Sequence, residues 1–391
     1  MTAVKSQNRS RMRLSNIQMV LTLLEQFHPI SRTEIVSMTE LSPASVTRII
    51  NALIGLGLIC ETESVGAGQR GRKAVNLSIK PDGLYVAGVS VEADSLRLCL
   101  MDFGGEVVGS LSTALDVSRR YTEDEIACAA FELYQKMPSG LIADLSRVRA
   151  VGVGVAGVTD PKRGVILQSD QMRWSGVDLG GAFFRAFHIP VWIENDVKAC
   201  LMGERARRGM EDIEHMAYLL VGSGVGLATV SNGQLIRGEN NAAGEIEHVP
   251  LGPGTQGLDT LELHLTEAEI IKRAQSVDPS IRLVESIVTA YRQQMDWAVL
   301  LINDFIRYLK LTLALINGLL NPRHIILGGS IIPKLSDLLK DVTEGSQVLI
   351  GEDYGDTLMT GAAICALRHA TQGLVTGQIA GEPSASRNDA R

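Results

Sequence analysis

Asn195 and Asp196 are adjacent polar residues at the junction between an apolar run and a helical pattern. The apolar run is Val191–Ile193, and the helical pattern covers residues 197–204. This layout predicts that both side chains lie at the carboxyl end of a strand, where open α/β sheets bind ligands. An aspartate there can take a proton from a hydroxyl group, and an asparagine can hydrogen-bond a polyol. The alternative is that Asp196 only caps the following helix.

The segments that must position this pair alternate between strands and helices from Leu84 onwards. The texture predicts two α/β cycles of similar order, hence a two-lobed body with a cleft between the lobes. The first cycle has predicted strands at 85–91, 96–102 and 150–155 and a helix at 122–136. The second cycle has a predicted strand at 217–221, a second that follows Gly226 and ends at Val230, and a third at 324–327. A long helical pattern at 282–319 precedes the third strand and ends at Asn321–Pro322.

Composition limits the class of protein. The chain has 391 residues, 45% of them hydrophobic, and 39 glycines, which is typical of an α/β protein of two or three domains. Its five cysteines are scattered without a Cys-x-x-Cys pair, which argues against a disulfide framework and a cysteine zinc site. There is no signal peptide, and no apolar run approaches the ~20 residues of a membrane span. We therefore expect a reduced, cytoplasmic protein with no membrane partner.

The charge is unevenly distributed along the chain. The net charge is −7, yet residues 1–80 contain ten Lys or Arg and only five acidic residues. The first 80 residues therefore carry +5 and the remainder −12. A basic module attached to an acidic body indicates that only the first part contacts a polyanion.

Three helices are predicted in the basic module. Apolar spacing indicates the first at 14–27, and a capping box at Ser31–Glu34 opens the second, which continues to about Met38. Ser42–Pro43, a cap residue followed by proline, begins the third at 43–55. Two short helices joined by a tight turn are typical of a helix-turn-helix, whose second helix enters the major groove.

A predicted wing follows these helices. Strand-like runs at 58–62 and 75–79 flank a glycine-rich basic tip at 66–73. Residues 1–80 therefore predict a winged helix-turn-helix domain; the alternative is a three-helix module with a solvated basic loop. Base contacts are expected from the third helix and minor-groove contacts from the tip. The predicted DNA-binding residues are Ser45, Thr47, Arg48, Arg70, Arg72 and Lys73.

Over residues 10–370 the chain resembles the ROK family of repressors, open reading frames and sugar kinases. Several motifs occur in the family's order, and the N-terminal ones resemble its repressor branch, the NagC, Mlc and XylR type. These motifs are Leu41–Arg48, Gly71–Lys73, Asn195–Asp196, Gly222–Gly226, Arg237–His248, Asn321–Gly329 and Gly361–Ala363.

The resemblance implies an α/β fold with an actin/hexokinase-like (ribonuclease H-like) two-lobed body behind the winged domain. The first lobe would cover 84–196 with a C-terminal helix near 360–371, and the second would cover 197–359 with dimerisation helices. Residues 374–391 are polar and rich in small residues, and we expect them to form a disordered tail.

The resemblance also implies a sugar site. Asp196 stands at the position of the base that activates a sugar hydroxyl in the family's kinases, and Asn195 at a position that binds a neighbouring hydroxyl. Glu245, His248 and Glu262 match the remaining sugar-contacting positions. Converging carboxylates suit a polyol because each can accept two hydroxyl hydrogen bonds. Taken singly, Glu245 could instead cap a helix and His248 could be a core histidine.

Two departures from the family argue against catalysis and a metal. The first phosphate loop of the kinases corresponds to Ser90–Asp94, which lacks glycines and carries Glu92 and Asp94, although the loop Gly222–Gly226 remains. The family's zinc site uses one His and three Cys, but no cysteine follows His248 before Cys365. Glu247 also stands where the family usually has glycine. We expect no catalytic residue, no metal and no other cofactor, with Asp196 as a vestigial base.

The resulting prediction is a sugar-responsive transcriptional regulator, with repression favoured over activation. Its partners would be a double-stranded DNA operator, a sugar or sugar phosphate between the lobes, and further copies in a homodimer or homotetramer. One alternative is an ATP-dependent hexose kinase carrying a DNA-binding module. Another is a body that serves as a docking platform for a protein.

Overall fold

The structure, a computed structural model, describes residues 2–63, 75–138, 140, 147–254, 257–343 and 347–380. The chain forms two compact units. The first consists of Met1–Val153, Asp178–Ile193 and Ala362–Arg391, and the second of Gly154–Val177 and Glu194–Gly361. Residues 154–177, assigned to the first lobe from the sequence, thus belong to the second unit, where they include a three-stranded sheet of their own.

The N-terminal module contains three helices and a three-stranded sheet of order β1-β3-β2. Its elements are α1 (Thr2–Phe27), β1 (Ile30–Ser31), α2 (Arg32–Met38), α3 (Pro43–Gly55), β2 (Ile59–Glu63) and β3 (Val75–Ile79). The predicted second and third helices and both wing strands are confirmed. Helix α1 begins before the predicted residue 14, because residues 2–13 contain neither glycine nor proline to stop it.

The sequence signals for helix starts in this module act as predicted. Ser31 Oγ accepts a hydrogen bond from the Glu34 backbone N at 3.2 Å, and Glu34 Oε2 accepts one from the Ser31 backbone N at 2.7 Å. Ser42 caps α3 by accepting from the Ser45 backbone N at 3.2 Å. The apolar faces meet in a core of Ile17, Val20, Leu24, Ile35, Val46, Ile50, Leu53, Leu58 and Leu77, each at most 1% exposed.

A five-stranded sheet of order β11-β7-β4-β5-β6 lies mostly in the first unit. Its strands are β4 (Tyr85–Val91), β5 (Ser95–Asp102), β6 (Val107–Ala114), β7 (Val148–Val155) and β11 (Val191–Asn195). The predicted hairpin is present, since β4 and β5 pair antiparallel from Tyr85 opposite Asp102 to Val91 opposite Leu96. Helices α4 (Glu123–Gln135) and α5 (Leu179–Phe187) pack on each other in this unit.

The second unit contains a sheet with the same internal strand order, β14-β13-β12-β17-β18. Its strands are β12 (Met216–Val221), β13 (Val225–Ser231), β14 (Gln234–Leu235), β17 (His324–Gly328) and β18 (Val348–Ile350). In both sheets the first strand is flanked by the second and the fourth. This repeat matches the two α/β cycles predicted from the sequence. Smaller strands in this unit are β8 (Val158–Asp160), β9 (Val165–Ser169), β10 (Trp174–Val177), β15 (Pro250–Gly254) and β16 (Gly257–Thr260).

Helices cover this second sheet. They are α6 (Asp196–Arg207), α7 (Glu262–Leu265), α8 (Glu267–Gln275), α9 (Val284–Arg292), α10 (Asp296–Leu320), α11 (Ile332–Leu335) and α12 (Lys340–Thr343). The single long helical pattern at 282–319 is wrong as a continuous helix, because the chain turns between α9 and α10. Gln294 there adopts a left-handed backbone with φ of 59°, a break that no glycine or proline signals.

The last helix, α13 (Tyr354–Ala380), contributes residues to both units. It is longer at both ends than the predicted helix near 360–371. The expectation of a disordered tail from 374 is wrong for residues 374–380, because the helix buries Thr371 and then Val375 one turn later. Among the described residues, no helix combines the length and apolar character needed to cross a membrane.

Candidate functional site

A cavity of about 490 Å³ in the second unit has all five predicted sugar-binding residues in its wall. These are Asn195, Asp196, Glu245, His248 and Glu262. The volume lies within the range of roughly 300–1,000 Å³ that is usual for small-molecule sites. The sequence therefore identified residues that the fold brings together from α6, α7 and the loop between β14 and β15.

Asn195 is the cap of helix α6, and its side chain is fully engaged. Its Oδ1 accepts the Lys198 backbone N–H at 3.1 Å, and its Nδ2 donates to Gly157 O at 3.0 Å and to Asp196 Oδ1 at 2.8 Å. The capping role considered for Asp196 thus belongs to Asn195. Because both amide protons have protein partners, Asn195 holds Asp196 and the Gly157 turn in place.

Gly157 lets the backbone approach Asn195 closely. Its φ is 116°, in the left-handed region, and a Cβ there would lie 2.2 Å from Gln168 O. Any other residue would push the turn that follows β7 away from β9. A glycine is therefore required at this wall of the cavity.

Asp196 is buried, with 4% of its surface exposed, and accepts hydrogen bonds on both carboxylate oxygens. Besides the bond from Asn195, Tyr354 Oη donates to Asp196 Oδ2 at 2.8 Å. Burial raises the pKa of Asp196 to about 6, although the bond from Tyr354 and a backbone N–H counteract the shift. A buried carboxyl with such a pKa can accept hydrogen bonds from a polyol or take a proton near neutral pH.

A buried polar network supports this pair from behind. The Lys198 side chain is 1% exposed, and its Nζ donates to Asn241 O at 3.0 Å. Glu194, fully buried, receives two hydrogen bonds from Arg237, one of them at 2.9 Å. Asn241 in turn donates to Thr159 O at 3.0 Å. The network thereby fixes the segment that leads to Glu245.

Lys198 supplies positive charge behind the carboxylates. Burial lowers the pKa of Lys198, while Glu194, Glu245 and Asp196 oppose that shift. The residue was missed in the sequence, because a lysine on a helical pattern normally indicates a solvated face. Only its place two residues after Asp196 could have signalled its role.

The other predicted residues form the more open side of the cavity. Burial raises the pKa of Glu245, with Lys198 and His248 counteracting the shift. His248 keeps 67% of its side chain exposed and lies between two carboxylates, with Nδ1 3.6 Å from Glu262 Oε2 and Nε2 3.4 Å from Glu247 Oε1. His248 is therefore a cavity residue, and the alternative of a core histidine is excluded by its exposure.

Glu247 lies against the glycine loop Gly222–Gly226. Its Oε2 is 3.5 Å from the Val225 backbone N, which donates to it, and 3.1 Å from where a Cβ on Gly224 would lie. Burial raises the pKa of Glu247, and the Val225 N–H counteracts the shift. A carboxylate thus covers Gly222–Gly226, the loop that remains of the kinases' two phosphate loops.

The end of β9 and the turn after it complete the cavity wall and gave no signal in the sequence. They contribute Gln168 and Ser169 from the strand and Asp170 and Gln171 from the turn. With Asp196, Glu245, Glu247 and Glu262, Asp170 brings the carboxylates among the described lining residues to five, and none of these described residues is Lys or Arg. The cavity is therefore rich in acceptors and electrostatically negative.

The residues near His248 do not fit the family's zinc ion. Its charged neighbours include Glu245, Glu247 and Glu262, and the five free cysteines, Cys60, Cys99, Cys128, Cys200 and Cys365, come from separate parts of the fold. Within the described ranges, no group of three or more His, Cys, Asp or Glu could hold a metal ion.

A charge network joins the segment after His248 to the helical layer. His264 Nε2 lies 2.6 Å from Asp259 Oδ1, and its Nδ1 lies 3.1 Å from Asp304 Oδ2. Arg273 also donates to Asp304 Oδ2, at 2.8 Å, and the His264 ring stacks on Tyr308. These contacts tie α7, which carries Glu262, to α8 and α10.

The turn between β4 and β5 in the first unit carries its own carboxylate. Glu92 Oε1 accepts a hydrogen bond from Ser90 Oγ at 2.9 Å and lies 3.5 Å from Arg97 Nε. Burial raises the pKa of Glu92, with Ser90 and Arg97 counteracting the shift. The carboxylate of Glu92 is thus held by contacts within the same hairpin.

The N-terminal module exposes part of its predicted DNA-binding face. Thr47 and Arg48 are exposed on α3, whereas Ser45 is half-buried. The Oγ atoms of Ser45 and Ser42 form a hydrogen bond of 2.9 Å. Asn51, on the same face, accepts from Arg32 at 3.1 Å. The predicted tip residues Arg70, Arg72 and Lys73 lie outside the described residues.

Sequence comparisons relate this geometry to known proteins. The sequence model described as the ROK family matches residues 86–353. A putative xylose repressor of Caldicellulosiruptor sp. (strain Rt8B.4) is 25% identical over 62% of this chain, and the match spans only 60% of that repressor. The xylose repressor of Bacillus subtilis (strain 168) is 26% identical, covering 87% of this chain and 89% of the repressor. The dual regulator NagC of Escherichia coli (strain K12) is 27% identical, covering 86% and 82%.

Solved structures share the fold. A ROK family transcriptional regulator described as a homolog of the Escherichia coli MLC protein has a TM-score of 0.76 at 23% identity, covering 95% of this chain and 99% of that one. A ROK family glucokinase from Streptomyces griseus, in complex with glucose and AMPPNP, has a TM-score of 0.58 at 21% identity, covering 72% and 99%. The predicted actin/hexokinase-like body is confirmed, and the fold is shared with regulators and sugar kinases alike.

Proposed function

Because the chain belongs to the ROK family, we propose that it is a transcriptional repressor whose affinity for operator DNA falls when a sugar occupies the cavity of the second unit. One observation carries the proposal: the five side chains expected to contact a sugar all line a single cavity. The names of the similar proteins, xylose repressor and NagC, support it.

The chemistry of the cavity suits a polyol. Its carboxylates are hydrogen-bond acceptors, and a sugar offers a set of hydroxyl donors. Asp196 is held in one orientation by Asn195 and Tyr354, so little conformational entropy is lost when a hydroxyl binds. Asp196, Glu245, His248 and Glu262 would contact the sugar, and Asn195 would act as a positioning residue.

Helix α13 offers a route from sugar to DNA. At its start, Tyr354 donates to Asp196 in the cavity wall. Eighteen residues later, about 27 Å along a helix, Gln372 Nε2 donates to Gln18 Oε1 of α1 at 3.2 Å. A sugar hydroxyl that donates to Asp196 in place of Tyr354 would break this hydrogen bond and change the position that α13 prefers. By linkage, the ligand must weaken DNA binding if it prefers the state that binds DNA less tightly.

We infer that DNA is read by two copies of the chain. Helix α10 exposes Leu300, Leu311, Leu315 and Leu319, with Leu319 80% exposed. The last three recur every four residues and so lie on one face of the helix. A second copy would cover this face in a two-fold dimer that presents two α3 helices to two half-sites. Free cysteines and a DNA partner favour a cytoplasmic location.

The test measures DNA binding and its response to sugar. A binding sequence is selected from random double-stranded DNA, and fluorescence anisotropy then gives Kd with and without xylose, glucose or N-acetylglucosamine. We expect at least one of these sugars to raise Kd tenfold or more for the native chain and to have no effect on Asp196→Ala, which must still bind DNA. Specific DNA binding that no sugar alters would contradict the proposal and favour a body that docks a protein.

The winged module has its own test. Arg48→Ala should weaken DNA binding at least tenfold and lower the dependence of Kd on salt, since one cationic contact is lost. The exposed Arg119 offers a matched control outside the module, and Arg119→Ala should change neither quantity. Equal behaviour of the two variants would contradict the assignment of α3 as the reading helix.

A sugar kinase is the second candidate, favoured by the retained Asp196 with its pKa of about 6. It requires phosphates at the turn that contains Glu92 and at the loop that Glu247 covers, and both carboxylates would repel them. We therefore propose that the body binds sugar without transferring phosphate, and that it holds no resident metal or other cofactor.

A further inference from the structure

We propose that Glu247 makes the cavity reject phosphorylated ligands, so that the effector is an unphosphorylated sugar. This inference rests on the proposed function, since it specifies the class of sugar that the same cavity accepts. It goes beyond that function by assigning specificity to a residue that the sequence pattern did not place among the sugar contacts.

The position of the carboxylate carries the inference. A Cβ built on Gly224 would meet a single neighbour within 4 Å beyond the adjoining residues, Glu247 Oε2 at 3.1 Å. The same oxygen faces the Val225 backbone N at 3.5 Å. Glu247 thus occupies the space over the loop into which a phosphate would have to enter to reach the backbone amides.

The surrounding charges do not compensate for Glu247. Asp170, Asp196, Glu245 and Glu262 also line the cavity, and no Lys or Arg lines it within the described part of the chain. Lys198, a buried cation behind the cavity wall, directs its Nζ to Asn241 O. A phosphate ester would therefore face carboxylates without the cationic partner that phosphate sites usually provide.

An unphosphorylated sugar meets no such penalty. Each lining carboxylate can accept hydroxyl hydrogen bonds without repulsion. The preference is the difference between the affinity for a sugar and the affinity for its phosphate ester. It arises mainly because the carboxylates repel the ester. Glu247 is then the residue whose charge sets the difference.

The first arm of the test needs no sugar. Inorganic triphosphate is titrated by calorimetry into the full chain, into Glu247→Gln and into the control Glu239→Gln, whose side chain is exposed and outside the cavity. Glutamine keeps the shape of residue 247 and removes its charge. We expect at least a tenfold gain in triphosphate affinity for Glu247→Gln relative to both other proteins. Equal affinity in all three would overturn the role of Glu247.

The second arm compares xylose, glucose and N-acetylglucosamine with their phosphate esters. The native chain should bind its sugar at least tenfold more tightly than the corresponding ester, and Glu247→Gln should narrow that ratio threefold or more. An ester that binds the native chain as tightly as its sugar would overturn the inference. If no sugar or ester binds while the triphosphate arm still separates the variants, the proposed function fails and the exclusion of phosphate by Glu247 stands.

Discussion

The two five-stranded sheets share one strand order but differ at the turn that joins their first two strands. In the first sheet, the turn after β4 contains Glu92, whose carboxylate is bonded to Ser90 and faces Arg97. In the second sheet, the turn after β12 is Gly222–Gly224, and its carboxylate comes from Glu247, 25 residues beyond Gly222. One turn is closed by its own side chain, and the other is covered by a distant one.

The two carboxylates therefore have different roles, Glu92 in the structure of its turn and Glu247 in the choice of ligand. Glu92 lies 3.5 Å from Arg97 Nε, so a cation of the same hairpin attracts its charge. Glu247 accepts from the Val225 N–H and lies near the exposed His248 and two further carboxylates, Glu245 and Glu262. Its charge therefore acts on whatever enters the cavity. The same type of residue stabilises a turn in one sheet and selects ligands in the other.

The largest expected effect comes from the cavity itself. Asp196→Ala removes a carboxylate that can accept charge-assisted hydrogen bonds, each contributing up to about 3 kcal/mol. Sugar affinity should therefore fall about 100-fold, measured by isothermal titration calorimetry. Glu92→Gln is the control and should leave sugar affinity unchanged. A comparable loss in both variants would remove the distinction between cavity and turn.

The second expected effect is on stability as pH changes. Burial raises the pKa of Asp196 from 3.8 to about 6, so the folded chain holds a proton that the unfolded chain has released. Stability therefore falls as pH rises from about 4 to 6, by about 3 kcal/mol from this group. Asp196→Asn should lack this component when chemical unfolding at pH 4 is compared with chemical unfolding at pH 7. An unchanged difference between the two pH values would contradict the assigned burial.

Two glycines in the second turn should respond differently to alanine. A Cβ on Gly222 would lie 2.8 Å from the Ser330 backbone N, whereas one on Gly224 would meet only the flexible end of Glu247 at 3.1 Å. Gly222→Ala should lower the free energy of unfolding by about 2 kcal/mol, and Gly224→Ala by less than about 1 kcal/mol. Urea unfolding measures both, and equal losses would contradict the open position of Gly224.

The smallest expected effect is at the first turn. Glu92→Gln keeps the hydrogen bond from Ser90 and removes the attraction to Arg97, so the free energy of unfolding should change by about 1 kcal/mol or less. Triphosphate affinity should stay unchanged, in contrast to Glu247→Gln. A gain of triphosphate binding in Glu92→Gln would mean that the two turns are alike.

Local signals in the sequence predicted much of the fold. The Ser31–Glu34 capping box and the Ser42–Pro43 start placed two helices correctly, because caps depend on neighbouring residues. The break at Gln294 was missed because no glycine or proline marks its left-handed backbone. The order of residues 374–380 was missed because it depends on burial of Val375 against the rest of the unit.

The site divides in the same way. Motifs in family order predicted five residues of the cavity wall, Asn195, Asp196, Glu245, His248 and Glu262. A departure from the family's first phosphate loop identified Glu92 as a charged residue of that turn. The contact of Glu247 with Gly224 was not predictable, since it joins two segments through the tertiary fold. Asp170 was missed for the same reason, whereas Lys198 was missed because a lysine in a helical pattern normally indicates a solvated face.

The most direct measurement of the central claim is ATP consumption in the presence of a sugar that calorimetry shows to bind. With carboxylates at both turns, the native chain should bind the sugar and consume no ATP above the rate without protein. A family sugar kinase, assayed in parallel, confirms that the assay detects turnover. Sugar-dependent ATP consumption that disappears in Asp196→Asn would contradict the claim and make the chain a kinase.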